Sequence, residues 1–412
     1  MTAPAVGDPF LLGVNYWPRR KAMYWWEDFD PEEVRDEFST IRSLGLTYVR
    51  IFLLWESFQP TPDQVRAQAV QDLRTVCDIA ADLGLLIQVT FFTGHMSGPN
   101  WAPSWLIDRS RRRAPGDRQL VGLTQPQGSV YPIFDPYTTP AVVEAEDRLL
   151  RAVCGELNDH PAVWAWSLGN EPDLFCKPAN PETGRTWVRD RVAVIKAIDP
   201  GRPVLIGLHS ASLESDPGFH VGDIASETDI SVMHGYSIYS SLARSPLDPD
   251  LVPFTAALAA ALAGRPVLYE EFGANTASPD GPGGWRDLAL PEDRARRAYF
   301  AAEAAVAAYL EAVLPRLVRV GSLGAFVWCF ADYHPSLWDR PPCDYQVHER
   351  FFGLVRPDGS LKPAASVIHA FASSAPVIRH PERTVTLSTG ETDYYRRPMD
   401  EMATLYERFG RL

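Results

Sequence analysis

The chain has 412 residues, 46% of them hydrophobic, which suffices for one large domain with embellishments or two ordinary ones. A formal charge of −13 and a pI near 5.2 argue against nucleic acid and against an anionic membrane surface as partners. Twelve Trp and fifteen Tyr supply flat faces that suit ring-shaped ligands as well as a large core.

The opening segment "MTAPAVGDPFLLGVNYW" has no basic run and no apolar stretch of signal-peptide length. No stretch reaches the roughly 20 apolar residues of a membrane helix. A cytoplasmic protein is therefore expected. Cys77, Cys154, Cys176, Cys329 and Cys343 are odd in number and lack metal-ligand spacing, so they are expected as reduced thiols.

Short apolar or β-branched runs predict buried strands over 11–17, 47–52, 85–92, 163–171, 203–209, 229–236, 266–272 and 324–330. "SLGLTYVRIF" and "DLGLLIQVTF" each close a helix on Gly and pass at once into a strand; "GRPVLIG" and "GRPVLYE" repeat a related joint later. Between them lie helical patterns. "DPEEVRDEFSTIRSLG" has Asp30 as N-cap and Pro31 in the first turn, with Val34, Phe38 and Ile41 on one face. Similar faces occur in "RAQAVQDLRTVCDIAADLG", "TPAVVEAEDRLLRAVCGEL" and "EDRARRAYFAAEAAVAAYLEAVL", the last expected to be helical from residue 292. Eight strands, each followed by helical or loop material, predict an α/β chain folded as a (β/α)8 TIM barrel. The competing reading is a doubly wound open sheet, disfavoured because no Gly-rich phosphate loop follows the first strand.

The barrel is expected over 1–374, with long βα loops after strands 3 and 8, at 94–138 and 331–352. Residues 375–412 read as a C-terminal extension that packs on the barrel or meets a second subunit of a homo-oligomer.

The predicted strand ends share a polar character. Strand two ends near Arg50, followed by Trp55, and strand three reaches His95; strand four ends on Asn170 and Glu171, strand six on His234 and Tyr236, strand seven on Glu270 and Glu271, strand eight on Trp328. Such groups are costly to bury unpaired, so they need each other or a ligand. Carboxylates ending strands four and seven face each other across the barrel mouth, where barrels build active sites. That pairing suits a glycosidic bond, one acid protonating the leaving oxygen while the other serves the anomeric carbon. Neighbouring strand residues point to opposite faces, so only one of Glu270 and Glu271 is expected in the site, with the other paired to a basic neighbour. There is no His-Glu-x-x-His, and the nine histidines do not cluster with acids at ligand spacing, so neither a metal nor a cofactor is expected.

"WSLGNEPDL" resembles the Asn-Glu-Pro motif of clan A glycoside hydrolases, and "RPVLYEEFG" the strand-seven motif of glycoside hydrolase family 5. "TYVRIFLLWESFQP", "VMHGYSIYS", "FVWCF" and "FFGLVRPDGSLKPAA" resemble further segments of that family in its order, so the resemblance spans most of the chain. It implies Glu171 as general acid/base and Glu271 as nucleophile of a retaining enzyme, with carboxyl groups about 5–5.5 Å apart. It also implies that Asn170 binds the sugar 2-hydroxyl, Arg50 and Tyr236 hold the nucleophile, His234 lines the site and Trp328 forms a sugar platform. Trp55 and His95 complete the expected substrate-binding set. In the long loops, Trp101, Trp105, Trp338 and Tyr345 are candidates for cleft walls. Glu56, Asp332, Asp339 and Glu349 are candidates for hydroxyl contacts. "EEFG" and "GVNYWP" resemble the β-mannanase and β-mannosidase branch. Long loops after strands 3 and 8, expected to wall the cleft into a pocket, and the expected cytoplasmic location favour an exo-acting β-mannosidase on short β-mannosides. An endo-β-mannanase, a β-glucosidase or β-galactosidase of the same clan, and a non-catalytic sugar-binding barrel are the alternatives.

Overall fold

The computed structural model describes residues 4–114, 117–278, 283–290, 294–387 and 390–410. Eight parallel strands occupy the eight apolar runs: β1 (Leu11–Asn15), β2 (Tyr48–Phe52), β3 (Leu86–Thr90), β4 (Val163–Asn170), β5 (Val204–Gly207), β6 (Ser231–His234), β7 (Val267–Phe272) and β8 (Gly324–Val327). Their order in the sheet is β5-β4-β3-β2-β1-β8-β7-β6, and a single parallel bridge from His209 to His234 joins the two ends into a barrel. Both faces of these strands are covered, so they read as continuous apolar runs instead of alternating ones.

A helix follows each strand: α1 (Pro31–Ser43), α2 (Ala67–Asp82), α3 (Pro140–Leu157), α4 (Pro181–Ile198), α5 (Val221–Glu227), α6 (Leu251–Ala263), α7 (Glu303–Arg319) and α8 (Pro363–Ser373). The Asp30 carboxylate accepts from the amides of Glu32 and Glu33, satisfying two donors at the start of α1. After α1 and α2, Gly45 (φ 81°) and Gly84 (φ 66°) make the left-handed turn that sends the chain back into a strand. None of the described helices is long and apolar enough to cross a membrane. The five cysteines are unpaired.

Long excursions leave the barrel at the C-terminal ends of three strands. The segment between β3 and α3 carries a two-strand ladder, Asn100–Trp101 with Leu120–Val121, and the one between β8 and α8 carries two short 3-10 turns. The third excursion was not anticipated. After β7, Gly284–Leu290 and Arg294–Phe300 pair as an antiparallel hairpin. The expected helix from residue 292 is thus corrected: α7 starts only at Glu303, and residues 291–293 lie outside the described residues. Across the hairpin Arg286 lies 4.5 Å from the Phe300 ring, and tertiary pairing overrides the helical periodicity of the Arg294–Phe300 segment.

The C-terminal segment turns back onto the barrel. Tyr394 donates to Leu213 O at 2.6 Å and Tyr395 to Ser212 O at 2.9 Å, while helix Pro398–Phe409 sends Tyr406 Oη to Asp248 at 2.7 Å.

Candidate active site

β4 ends by lifting Glu171 into the left-handed region (φ 50°, ψ 55°), with its amide held by Gly207 O at 2.9 Å. A non-glycine residue there costs of order 1–3 kcal/mol, and such strain gathers at functional sites. Glu271 stands across the mouth at the end of β7, and one carboxylate oxygen of each glutamate, with His234 between, lies within 4.8 Å of the other.

Arg50, on β2 and fully buried, spends its planar fork on this region. Its Nη1 donates to Glu271 Oε1 at 2.5 Å and to Asn15 Oδ1 at 3.1 Å, its Nη2 to Asn170 Oδ1 at 2.8 Å, and its Nε to Thr90 Oγ1 at 3.1 Å. Tyr236 Oη donates to the other Glu271 oxygen at 2.8 Å. Burial, and then the charge of Glu271, hold the Tyr236 hydroxyl far above its ordinary pKa, so it stays a donor. Asn170 in turn donates to His95 O at 2.6 Å.

His234, on β6, bridges the acids: Nδ1 lies 3.0 Å from Glu171 Oε1 and Nε2 lies 2.8 Å from Glu270 Oε2. Burial presses its pKa down, but Glu271, Glu171 and Glu270 outweigh it and push the imidazole up to about 10. Burial likewise raises the Glu171 carboxyl, yet His209, His234 and His95 hold it well below the usual range. Burial raises Glu271, against the pull of His234 and Arg50; its two donors, Arg50 and Tyr236, favour the ionised form at neutral pH. The proton of the cluster therefore rests on His234, one hydrogen bond from Glu171. His95, with Nε2 at 3.9 Å from Glu171, is pushed down to about 4 by burial and by Arg118.

As expected, Glu271 lines the cleft and Glu270, absent from that lining, pairs with basic neighbours; the strict alternation of the two side chains is nevertheless broken. Glu270 lies 3.3 Å from Arg50 Nη2, touches His234, and accepts from Gln88, while Glu271 meets the same arginine. The pairing of β7 shifts register against β6 between Met233 and His234, and against β8 between Ala325 and Val327. These irregularities break the period-2 alternation, so consecutive glutamates serve one cluster.

A cleft of about 310 Å³ opens above the pair, lined among others by His95, Asn170, Glu171, Tyr236, Glu271 and Trp328. Trp55 is not brought to it: its indole donates to Gln59 Oε1 at 2.8 Å and packs on Phe92 and Trp105. The loop aromatics are likewise structural. Trp101 donates to Met96 O, Trp105 to Gln59 O and Trp338 to Tyr333 O, while Tyr345 meets Gln119. Glu56 accepts from Leu123 N and Thr124, and Asp332 from Lys362 and Gly353 N, so both pin loops. Asp339 is absent from the lining; of the candidate loop acids, Glu349 reaches the cleft.

Several lining groups escaped the sequence reading: Arg118, His209, Glu214, Tyr239 and Arg296. His209 follows β5 directly, and the "GLHS" context at that strand end was the available signal. Arg296 arrives on the unanticipated hairpin, 4.6 Å above the Tyr239 ring.

The family model for the TIM barrel domain of glycosyl hydrolases family 2 matches residues 105–374. Among curated relatives, a probable mannan endo-1,4-beta-mannosidase F of Emericella nidulans is 32% identical over 152 residues, 34% of this chain and 34% of that protein. A putative mannan endo-1,4-beta-mannosidase 4 of Arabidopsis thaliana is 23% identical over 231 residues, 51% of this chain and 52% of that one. The chain thus spans about a third of the length of the first curated relatives it matches. Among solved structures, a GH5_18 from Streptomyces cattleya in complex with GlcNAc has a TM-score of 0.79 at 23% identity, covering 99% of this chain and 91% of that one. An exo-beta-1,4-mannosidase from Opitutaceae bacterium strain TAV5 has a TM-score of 0.71 at 25% identity, covering 89% of this chain and 60% of that one.

Proposed function

Because the chain belongs to the family of glycosyl hydrolases family 2 TIM barrel domains, we propose that it is a retaining β-glycoside hydrolase, and within that class an exo-acting β-mannosidase on short β-mannosides. The observation that carries the reading is the close pair Glu171 and Glu271, with oxygens within 4.8 Å, one carboxylate gripped by Arg50 and Tyr236 and the other touching the His234 imidazole. That closeness supports the roughly 5–5.5 Å carboxyl separation of retaining enzymes over the roughly 6.5–9.5 Å of inverting ones.

In this mechanism Glu271 attacks the anomeric carbon, and the bond to the leaving oxygen breaks as that oxygen takes a proton from Glu171. Glu171 is supplied by His234 Nδ1 across their hydrogen bond. A water then adds to the glycosyl-enzyme, Glu171 takes its proton as base, and Glu271 is released as carboxylate. Arg50 and Tyr236 compensate charge on Glu271 while it is free and aim its oxygen. Asn170, anchored by Arg50 and His95 O, presents its amide beside the 2-hydroxyl position. Trp328 gives the sugar ring an apolar floor.

The mannose assignment and the likeness to glycoside hydrolase family 5 draw support from the names of the relatives, mannan endo-mannosidases and an exo-beta-1,4-mannosidase, and from the "EEFG" and "GVNYWP" segments. The endo names favour a second reading, an endo-β-mannanase. Turnover of pNP-β-mannoside, pNP-β-glucoside and pNP-β-galactoside tests the sugar, and product sizes from a manno-oligosaccharide ladder separate exo from endo action. Azide restoring Glu271→Ala with an inverted glycosyl azide, and Glu171→Ala with a retained one, is the expected result for the roles. Full turnover in Glu271→Ala overturns the mechanism.

A further inference from the structure

The mechanism above leaves two carboxylates of the cleft unused, Glu214 and Glu349. Glu349 opens the short turn Glu349–Phe351 after β8, is 7% exposed, and lines the same cleft as Glu171 and Glu271 without a hydrogen bond to either. Its Oε1 accepts from Tyr239 Oη at 3.1 Å and lies 3.3 Å from His348 Nε2. Among the described residues no donor reaches Oε2. Burial raises this carboxyl, but His348, Arg296 and Tyr239 outweigh it and hold it below the usual range. Glu349 is therefore an ionised, acceptor-only group with one oxygen fixed and one left for a ligand.

Its place in the cleft says which part of a ligand it meets. Glu171 protonates the leaving oxygen, so the departing group lies on the Glu171 side, among His95, Leu174 and His209 from the loops after β3, β4 and β5. Glu349, with Trp328 and Phe352, comes from the segment after β8, directly across the barrel from β4, and Tyr239 from the segment after β6 reaches it there. A ring resting on Trp328 with its anomeric carbon toward Glu271 turns its far hydroxyls to that wall. Hydroxyls there are donors, and a fixed carboxylate oxygen in a buried wall is the acceptor that discriminates among them.

We propose that Glu349 recognises the terminal sugar, accepting hydrogen bonds from the ring hydroxyls farthest from the anomeric carbon, with Tyr239 and the hairpin residue Arg296 holding it in place. This rests on the glycosidase reading above and deepens it. The side chain acts on binding and specificity, not on the reacting bond.

The test compares wild type, Glu349→Gln and Glu349→Ala on pNP-β-mannoside and its 4-deoxy and 6-deoxy analogues, with tryptophan-fluorescence titration of free mannose alongside. Wild type is expected to process at least one deoxy analogue roughly ten- to a hundredfold less well, the range of a hydrogen bond to a charged group. Glu349→Ala loses a similar factor on the parent sugar, chiefly through KM, and no longer distinguishes that analogue; Glu349→Gln falls between. If either variant keeps both wild-type kcat/KM and wild-type discrimination, the inference is overturned while the glycosidase reading stands. Mannose binding that weakens in Glu349→Gln without turnover of any glycoside keeps the inference and overturns the catalytic reading. Should Glu349→Ala fail to fold, the near-isosteric Gln variant decides.

Discussion

His234 Nδ1 sits 3.0 Å from Glu171 Oε1, both side chains buried in the barrel mouth. The same imidazole is anchored by Glu270 at 2.8 Å, so its ring is fixed from both nitrogens. With Glu171 held low and His234 pushed up to about 10, the proposed mechanism draws the proton for leaving-group departure from the histidine.

His234→Asn is expected to remove that proton store while leaving Arg50, Tyr236 and Glu271 connected. Hydrolysis of mannobiose, whose leaving group needs a proton, should fall by about 10²–10⁴-fold, the range of general acid catalysis. Hydrolysis of pNP-β-mannoside, with its acidic leaving group, should fall much less. Equal losses on both substrates count against the proton-store role. Stability gives the second readout. A histidine raised in the fold contributes stability that is complete below its unfolded pKa near 6.5 and is lost as pH rises through about 10. Melting curves of wild type and His234→Asn should therefore differ most below about pH 6.5 and converge toward pH 10.

Gly207→Ala probes the same ring through packing. A Cβ at Gly207 would stand 2.6 Å from His234 Cε1 and Nε2 and 2.8 Å from Glu270 Oε2, so the imidazole must shift. Displacements of an ångström at a catalytic group cost on the order of 10²-fold. Loss of kcat with the mannobiose-over-pNP bias of His234→Asn is expected. A variant with wild-type kinetics on both substrates would show that His234 tolerates the shift.

Much of this was legible in the chain. The eight strands announce themselves because a buried parallel strand needs an unbroken apolar run, and "VWAWSLGN" at 163–170 can be little else. Residues tied to strand ends, such as Glu171, Arg50 and Tyr236, inherit their positions from those runs. What sequence could not show are departures from ideal periodicity. The register shifts beside β7 put Glu270 and Glu271 into one cluster, against the alternation rule. The Arg-rich segment 294–300 has helical periodicity but finds a cross-strand partner, which is how Arg296 reaches the cleft unannounced. Trp55 was misplaced because proximity to a strand end does not fix which way a side chain turns once a short helix, Trp55–Phe58, intervenes.

Two buried carboxyls outside the cleft make the fold sensitive to base. Burial is the main cause of both shifts, raising Glu37 to about 7 and Glu146 to about 8 despite the donors Tyr16 and Trp187. An acid whose pKa is raised in the folded state binds its proton more tightly folded than unfolded. Stability is then complete below the unfolded value near 4.5 and falls as pH rises toward about 8. Glu146→Gln should lower the melting temperature at pH 5, where it loses shape complementarity alone, and should close or reverse that gap at pH 8. A pH-independent difference between the two proteins would exclude Glu146 as a source of the trend.

The C-terminal segment supplies the last test, because it braces the leaving-group wall from behind. Tyr395 Oη donates to Ser212 O at 2.9 Å and accepts from Val221 N at 3.0 Å, and its ring stacks on His220 with centroids 3.7 Å apart. Ser212 belongs to the short helix Ala211–Glu214, whose Ala211 and Glu214 line the cleft, just after His209. Tyr395→Phe leaves a buried carbonyl and a buried amide unpaired, at a cost of about 1–3 kcal/mol each as an upper range. A lower melting temperature is expected, together with a raised KM for mannobiose, whose second sugar must rest on this wall. The KM for pNP-β-mannoside should move less, since its flat leaving group asks less of the wall. If both KM values stay at wild type while the melting temperature falls, the segment stabilises the barrel without shaping the site.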